Sequence, residues 1–158
     1  MPLISPSSLA VLGGAIALAG GLLGSSIGIA TAGSAGAATL SEDRGQFRNV
    51  IVLASLPMTQ SFYGLIVMII IINNVVPKLA EAGSGMGFAV FGIGLMTAAA
   101  EAFSAIHQGH VCASGISLLP KTKGAIFTNS IMLAVFVELI GVLGLVFSIM
   151  ALTLLGLM

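Results

Sequence analysis

The chain has 158 residues, in which 5 Lys and Arg balance 5 Asp and Glu. Charged side chains make up 6% of it, where a soluble domain carries roughly 25%, and 58% is hydrophobic before the 21 glycines are counted. With a mean hydropathy of +1.18 there is too little polar surface to cover a globule, so composition predicts an integral membrane protein. Zero net charge excludes a basic nucleic-acid surface, and the single Cys112 excludes an internal disulfide or a thiolate metal cluster.

Charge positions divide the chain into spans. No Lys, Arg, Asp or Glu occurs from Met1 to Ser41 or from Asn49 to Pro77, and each run exceeds the ~20 apolar residues that cross hydrocarbon. Two further spans carry one acid each, Glu101 and Glu138. Unpaired backbone groups cost several kcal/mol each in lipid, so the spans are expected to be helices, about 9–38, 46–76, 86–118 and 124–156. The first is not read as a signal peptide, because MPLISPSS lacks Lys and Arg and the apolar stretch far outruns a 7–15-residue core. Breaks are predicted at Ser41–Arg48, Val76–Gly85 and Leu118–Gly124, each with Gly or Pro punctuation. Arg44, Arg48, Lys121 and Lys123 lie in the first and third breaks and only Lys78 in the second, so the positive-inside rule puts loops 41–48 and 118–124 in the cytoplasm and both termini outside.

The two halves repeat. An offset of 79 pairs LAVLGG (Leu9–Gly14) with FAVFGI (Phe88–Ile93), Ser25 with Ser104, Gly36 with Gly115 and Gly45 with Gly124. In the later helices an offset of 80 pairs Phe47 with Phe127, Asn49 with Asn129, Leu53 with Leu133 and Gly64 with Gly144. The expected architecture is therefore an all-α bundle of four transmembrane helices, two duplicated hairpins spanning 1–80 and 81–158. Gly20, Gly24, Gly28, Ala32 and Gly36 fall every fourth residue, a seam that lets backbones approach, whereas Val50–Val76 is bulky and suits lipid. A ring of hairpins and a compact monomeric bundle both accommodate that pattern.

The polar residues say more. Leu56, Thr59, Gln60 and Tyr63 stand at i, i+3, i+4 and i+7, so they share a face of the second helix. Pro57 within this stretch frees the Leu53 carbonyl and predicts a kink. Gln60 follows Gln46 by 14 residues, Glu138 follows Gly124 by 14 and Gln108 precedes Lys121 by 13, which at 1.5 Å per residue sets all three roughly 20 Å from the cytoplasmic loops. A carboxylate at that depth costs ~2.5 kcal/mol or more and marks an ion or proton path. The offset of 80 aligns Glu138 with Met58, so one such acid serves four helices.

LPMTQSFYG (Leu56–Gly64), SAIHQGHVCASGI (Ser104–Ile116) and VELIGVLGL (Val137–Leu145), in this order behind a Gly-rich helix, resemble the duplicated four-helix proteolipid of V-type and A/V-type rotary ATPases, its K or c subunit, and most of all the sodium-translocating bacterial branch. The resemblance covers nearly the whole chain. It implies protomers side by side in a closed rotor ring that turns against a stator membrane subunit and docks on central-stalk subunits. It implies that the Leu56 carbonyl, the Thr59 hydroxyl, the side-chain oxygens of Gln60 and Gln108 and the Glu138 carboxylate ligate Na⁺, with the Tyr63 hydroxyl bonded to Glu138 as a latch. The donor types agree, since a hard cation stripped of water needs several oxygens where a proton needs one acid.

A proton-carrying ring of the same family is the alternative, and a small oligomeric transporter or channel a distant one. Relatives more often have a small residue at Glu101, which is expected to be protonated or hydrogen-bonded toward the inner side of the ring. His107 and His110 are left out of the site, and Cys112 reads as a small hydrophobe. Gly115–Thr122 comes near a P-loop, but Pro120 replaces its second glycine, so ATP chemistry is expected in partner subunits.

Overall fold

The computed structural model describes residues 5–79 and 85–158. Four rods cross it: α1 (Pro6–Glu42), α2 (Arg44–Lys78), α3 (Met86–Thr122) and α4 (Phe127–Leu154), all long and apolar enough to span a membrane. The chain is an all-α, multi-pass membrane protein. Residues 80–84, the middle of the second predicted break, lie outside the described residues.

The first three helices run past the predicted bounds, while α4 stops short of the predicted 124–156 at both ends. Pro6 opens α1, and the Ser5 hydroxyl accepts from the Ser8 amide at 3.1 Å. The α3 helix continues through Pro120 to Thr122, so most of the predicted third break is helical. Pro120 cannot donate to the Ile116 carbonyl, and the Thr39 hydroxyl of α1 donates to it instead at 3.0 Å. The turn then closes on Lys123 and Gly124, both at positive φ, with the Gly124 amide bonded to Leu119 O at 2.9 Å. Between α1 and α2 the Asp43 carboxylate accepts from the Gly45 amide at 2.9 Å and from Gln46 Nε2 at 3.0 Å. Gln46 and Asn49 lie against Gly124, so the first and third turns adjoin at one end of the bundle.

The closest packing is between α1 and α3. A Cβ on Gly20 would fall 2.5 Å from the Ala98 backbone and one on Gly24 2.6 Å from Ala102 Cα, so these backbones touch with no room for a side chain. The α2 rod lies on α1 and is irregular at its prolines. Leu56–Met58 forms a 3₁₀ turn around Pro57, and a π-helical turn, Ile71–Val75, precedes Pro77.

The duplicated hairpins share register near the turns, where Gly36 meets Val50 as Gly115 meets Ser130. Farther along they part by about one helical turn. Gly64 lies against Ala17 and Leu18, but its repeat partner Gly144 lies against Ala100, the counterpart of Gly21. The α4 helix has no proline and stays α-helical throughout, whereas α2 tightens at Leu56–Met58. As a result Gly141 and Gly144 oppose Glu101, and Ser148 meets Thr97 with their hydroxyls 2.6 Å apart.

Candidate ion-binding site

Polar side chains from α2, α3 and α4 meet midway along the bundle. The 3₁₀ turn at Pro57 leaves the Leu56 carbonyl turned toward Thr59, whose hydroxyl is shared between Leu56 O at 3.3 Å and Gln60 Oε1 at 3.2 Å. Three oxygens of one short stretch thus lie together. On the other side of its amide, Gln60 Nε2 donates to Gln108 Oε1 at 2.9 Å and to Ser104 Oγ at 3.0 Å. Gln108 Nε2 in turn donates to Glu138 Oε2 at 3.2 Å and to Ala134 O at 3.3 Å. The Tyr63 hydroxyl closes the set by donating to Glu138 Oε1 at 3.1 Å.

All six residues singled out in the sequence are therefore joined in one network, Leu56 through its carbonyl. Gln60 and Gln108 are fully buried, whereas Thr59, Tyr63 and Glu138 are half-buried. The carboxylate lies at the margin of the protomer, between a dry interior and the exposed side chains of Phe136 and Leu139. No Lys or Arg occurs in α4 or in α3 before Lys121, and among the described residues the acid is faced by two neutral donors.

Two features depart from the expected ligand set. Gln108 turns its amide nitrogen, not its oxygen, toward Glu138, so its oxygen reaches a cation beside the carboxylate only after a half-turn of the amide. Ser104 belongs to the network but was missed as a member. It accepts from Gln60 and donates to Val137 O at 3.0 Å, tying α2 to α4 through α3. The available signal was its place four residues before Gln108, on the same face of the helix.

Glu101 is buried, and neither carboxylate oxygen has a hydrogen-bond partner among the described residues. Of the two expectations for Glu101, the hydrogen bond toward the inner side is not formed among the described residues. The carboxyl fits instead into a notch of α4, where a Cβ on Gly141 would fall 2.8 Å from Oε2 and one on Gly144 3.2 Å from Oε1. His107 and His110 lie on the exposed face of α3, where His107 stacks on Phe103 and meets His110 edge to face, away from the network. Cys112 is free and buried.

The same two-part organisation appears in comparison with known proteins. The model of the ATP synthase C-subunit family matches twice, over residues 12–71 and 91–151. The V-type sodium ATPase subunit K of Enterococcus hirae is 34% identical over 126 residues, 80% of this chain and 78% of that protein. The A-type ATP synthase subunit K of Methanocaldococcus jannaschii is 31% identical over 153 residues, 95% of this chain but 64% of that protein.

The chain belongs to the ATP synthase C-subunit family, in its duplicated four-helix form. It is a rotor proteolipid of the V/A type, a non-catalytic, ion-translocating membrane component whose ATP chemistry lies in other subunits.

Proposed function

We propose that identical copies of this chain form a closed rotor ring that carries Na⁺ across the membrane, one ion per protomer at Glu138. The observation that carries the reading is the bonding of Glu138 to Gln108 and Tyr63, with Gln108 in turn bonded to Gln60 beside the oxygens of Thr59 and Leu56. Bound Na⁺ takes oxygens from Leu56, Thr59, Gln60, Gln108 and Glu138, and Tyr63 holds the carboxylate toward it. The neutral ion pair then passes the hydrocarbon, where the bare anion would be expensive. As the ring turns past a stator subunit, each occupied site exchanges its ion, and one charge crossing the full potential is worth ~2.3 kcal/mol per 100 mV. The loops at 41–48 and 118–124 face the cytoplasm and receive the central stalk, and both termini lie outside. The name of the Enterococcus hirae relative supports sodium over other ions.

The other reading is a proton carrier, favoured by the Gln108 amide nitrogen at Glu138. Modification of Glu138 by a hydrophobic carbodiimide separates the two. A sodium ring is protected by millimolar Na⁺ at fixed pH, and a proton ring loses label only as the pH is moved. Label unaffected by Na⁺ at every pH refutes the sodium assignment.

A further inference from the structure

The internal repeat makes a statement about how one protomer meets the next. Within the protomer, α1 contacts α3 through Gly13 on Phe91, Gly20 on Ala98, Gly24 on Ala102 and Gly28 on Ala105 and Gly109. If the hairpins are equivalent in a ring, α3 meets the following copy's α1 through the residues related by the offset of 79. On α3 these are Gly92, Ala99, Phe103 and His107. On α1 they are Leu12, Ala19, Leu23, Ser26 and Ala30. Every one of these nine residues is exposed in the single protomer. Phe103 and Leu23 stand 61% and 63% open, and a Cβ on Gly92 would touch nothing within 4 Å. Two different faces that fit each other head to tail generate a ring when the rotation closes.

We propose that this pair of faces is the contact between neighbouring protomers along the inner helices, and that it is built differently from its counterpart inside the protomer. The inference rests on the ring reading above. Where Gly24 lies on Ala102 backbone to backbone, the repeat puts Phe103 on Leu23 of the next copy. Where Gly28 lies on Ala105 and Gly109, it puts the His107 ring on Ser26 and Ala30 of the next copy. The joint between copies is a wedge of aromatic and aliphatic side chains, so inner helices alternate between close approach within a protomer and wider spacing across the joint. His107, stacked on Phe103 with ring centroids 6.3 Å apart, supplies a nitrogen for the Ser26 hydroxyl of the neighbour, a polar contact with no equivalent inside the protomer.

The test is disulfide formation in the assembled membrane protein, in a Cys112→Ala background carrying either Ala19→Cys with Ala99→Cys or Ser26→Cys with His107→Cys. Oxidation should convert the protomer band into a reducible ladder of interchain multimers in both. Carbene footprinting of the unaltered ring gives a second measurement without substitution, and Phe103 and Leu23 should take up roughly fivefold less label than Leu154 because a packed joint excludes the reagent. A ring intact by native mass, with Phe103 and Leu23 labelled as strongly as Leu154 and no interchain ladder, overturns this joint while leaving the rotor reading in place. An unaltered chain that runs as a monomer by native mass overturns both.

Discussion

Gln60→Leu isolates what one buried amide contributes to the proposed ion site. The side chain is fully buried and nearly matched in volume by leucine, so the change removes polar contacts without opening a large cavity. Its oxygen is 3.2 Å from the Thr59 hydroxyl, and its nitrogen serves Gln108 Oε1 at 2.9 Å and Ser104 Oγ at 3.0 Å. A hydrogen bond or ligand dipole facing a charge is worth about 1.5–3 kcal/mol, and two buried acceptors lose their partner. Taking only the ligand contribution, and about 1.4 kcal/mol per factor of ten, Na⁺ should bind roughly 10- to 100-fold more weakly. The assay is the Na⁺ concentration that halves carbodiimide labelling of Glu138 at fixed pH, with ring assembly checked by native mass. A half-protection concentration within twofold of the unaltered protein, in an assembled ring that still labels, would refute the role given to Gln60.

Glu138→Gln should abolish carbodiimide labelling and Na⁺ transport while the ring still assembles, since the amide keeps its size; retained coupled transport counts against the site. Tyr63→Phe removes the 3.1 Å bond to Glu138 but keeps the ring, so Na⁺ protection should weaken by about 2- to 10-fold, the worth of a single hydrogen bond, and its release rate should rise. Gly24→Ala pushes a methyl into Ala102 and should destabilise the solubilised protein by about 1–3 kcal/mol in denaturant titration, whereas Gly33→Ala, which faces open space, should shift it by less than about 0.5 kcal/mol. Glu101→Leu should leave Na⁺ protection of Glu138 unchanged and hold or raise stability, because its carboxylate oxygens have no hydrogen bonds to lose; a large drop in stability would reveal a partner for that acid.

The four helices were legible because hydrocarbon imposes a length and forbids charge, and the positions of Arg44, Arg48, Lys78, Lys121 and Lys123 mark the breaks directly. The helix ends were less so. Pro120 reads as a terminator, and only the distant Thr39, 77 residues away from Ile116 along the chain, supplies the hydrogen bond that lets α3 run through it. Counting residues from the turns placed Gln60, Gln108 and Glu138 at one level, and their side chains do meet. The part of Ser104 was hidden because a serine in a membrane helix commonly bonds its own preceding turn, as Ser114 and Ser117 do. The facing of Glu101 could not be read at all, since it depends on the one-turn slip between the hairpins.

That slip explains why two acids within the spans of one bundle have different surroundings. Glu138 is at the edge of the protomer, where Tyr63 and Gln108 both aim donors at its oxygens, and the proposed cation would find further oxygens nearby. Glu101 lies inside, against two glycines of α4, and receives no donor among the described residues. An ion site needs access as well as ligands, and of the two acids Glu138 alone is half-exposed and furnished with polar partners, from α2 and from α3. Duplication supplied two copies of the hairpin, but the acid's place in the first copy is taken by Met58, whose side chain is exposed. The network around the retained Glu138 draws on both copies, with Tyr63 and Gln60 from the first and Gln108 from the second, and a single hairpin of this chain therefore cannot make the proposed site alone.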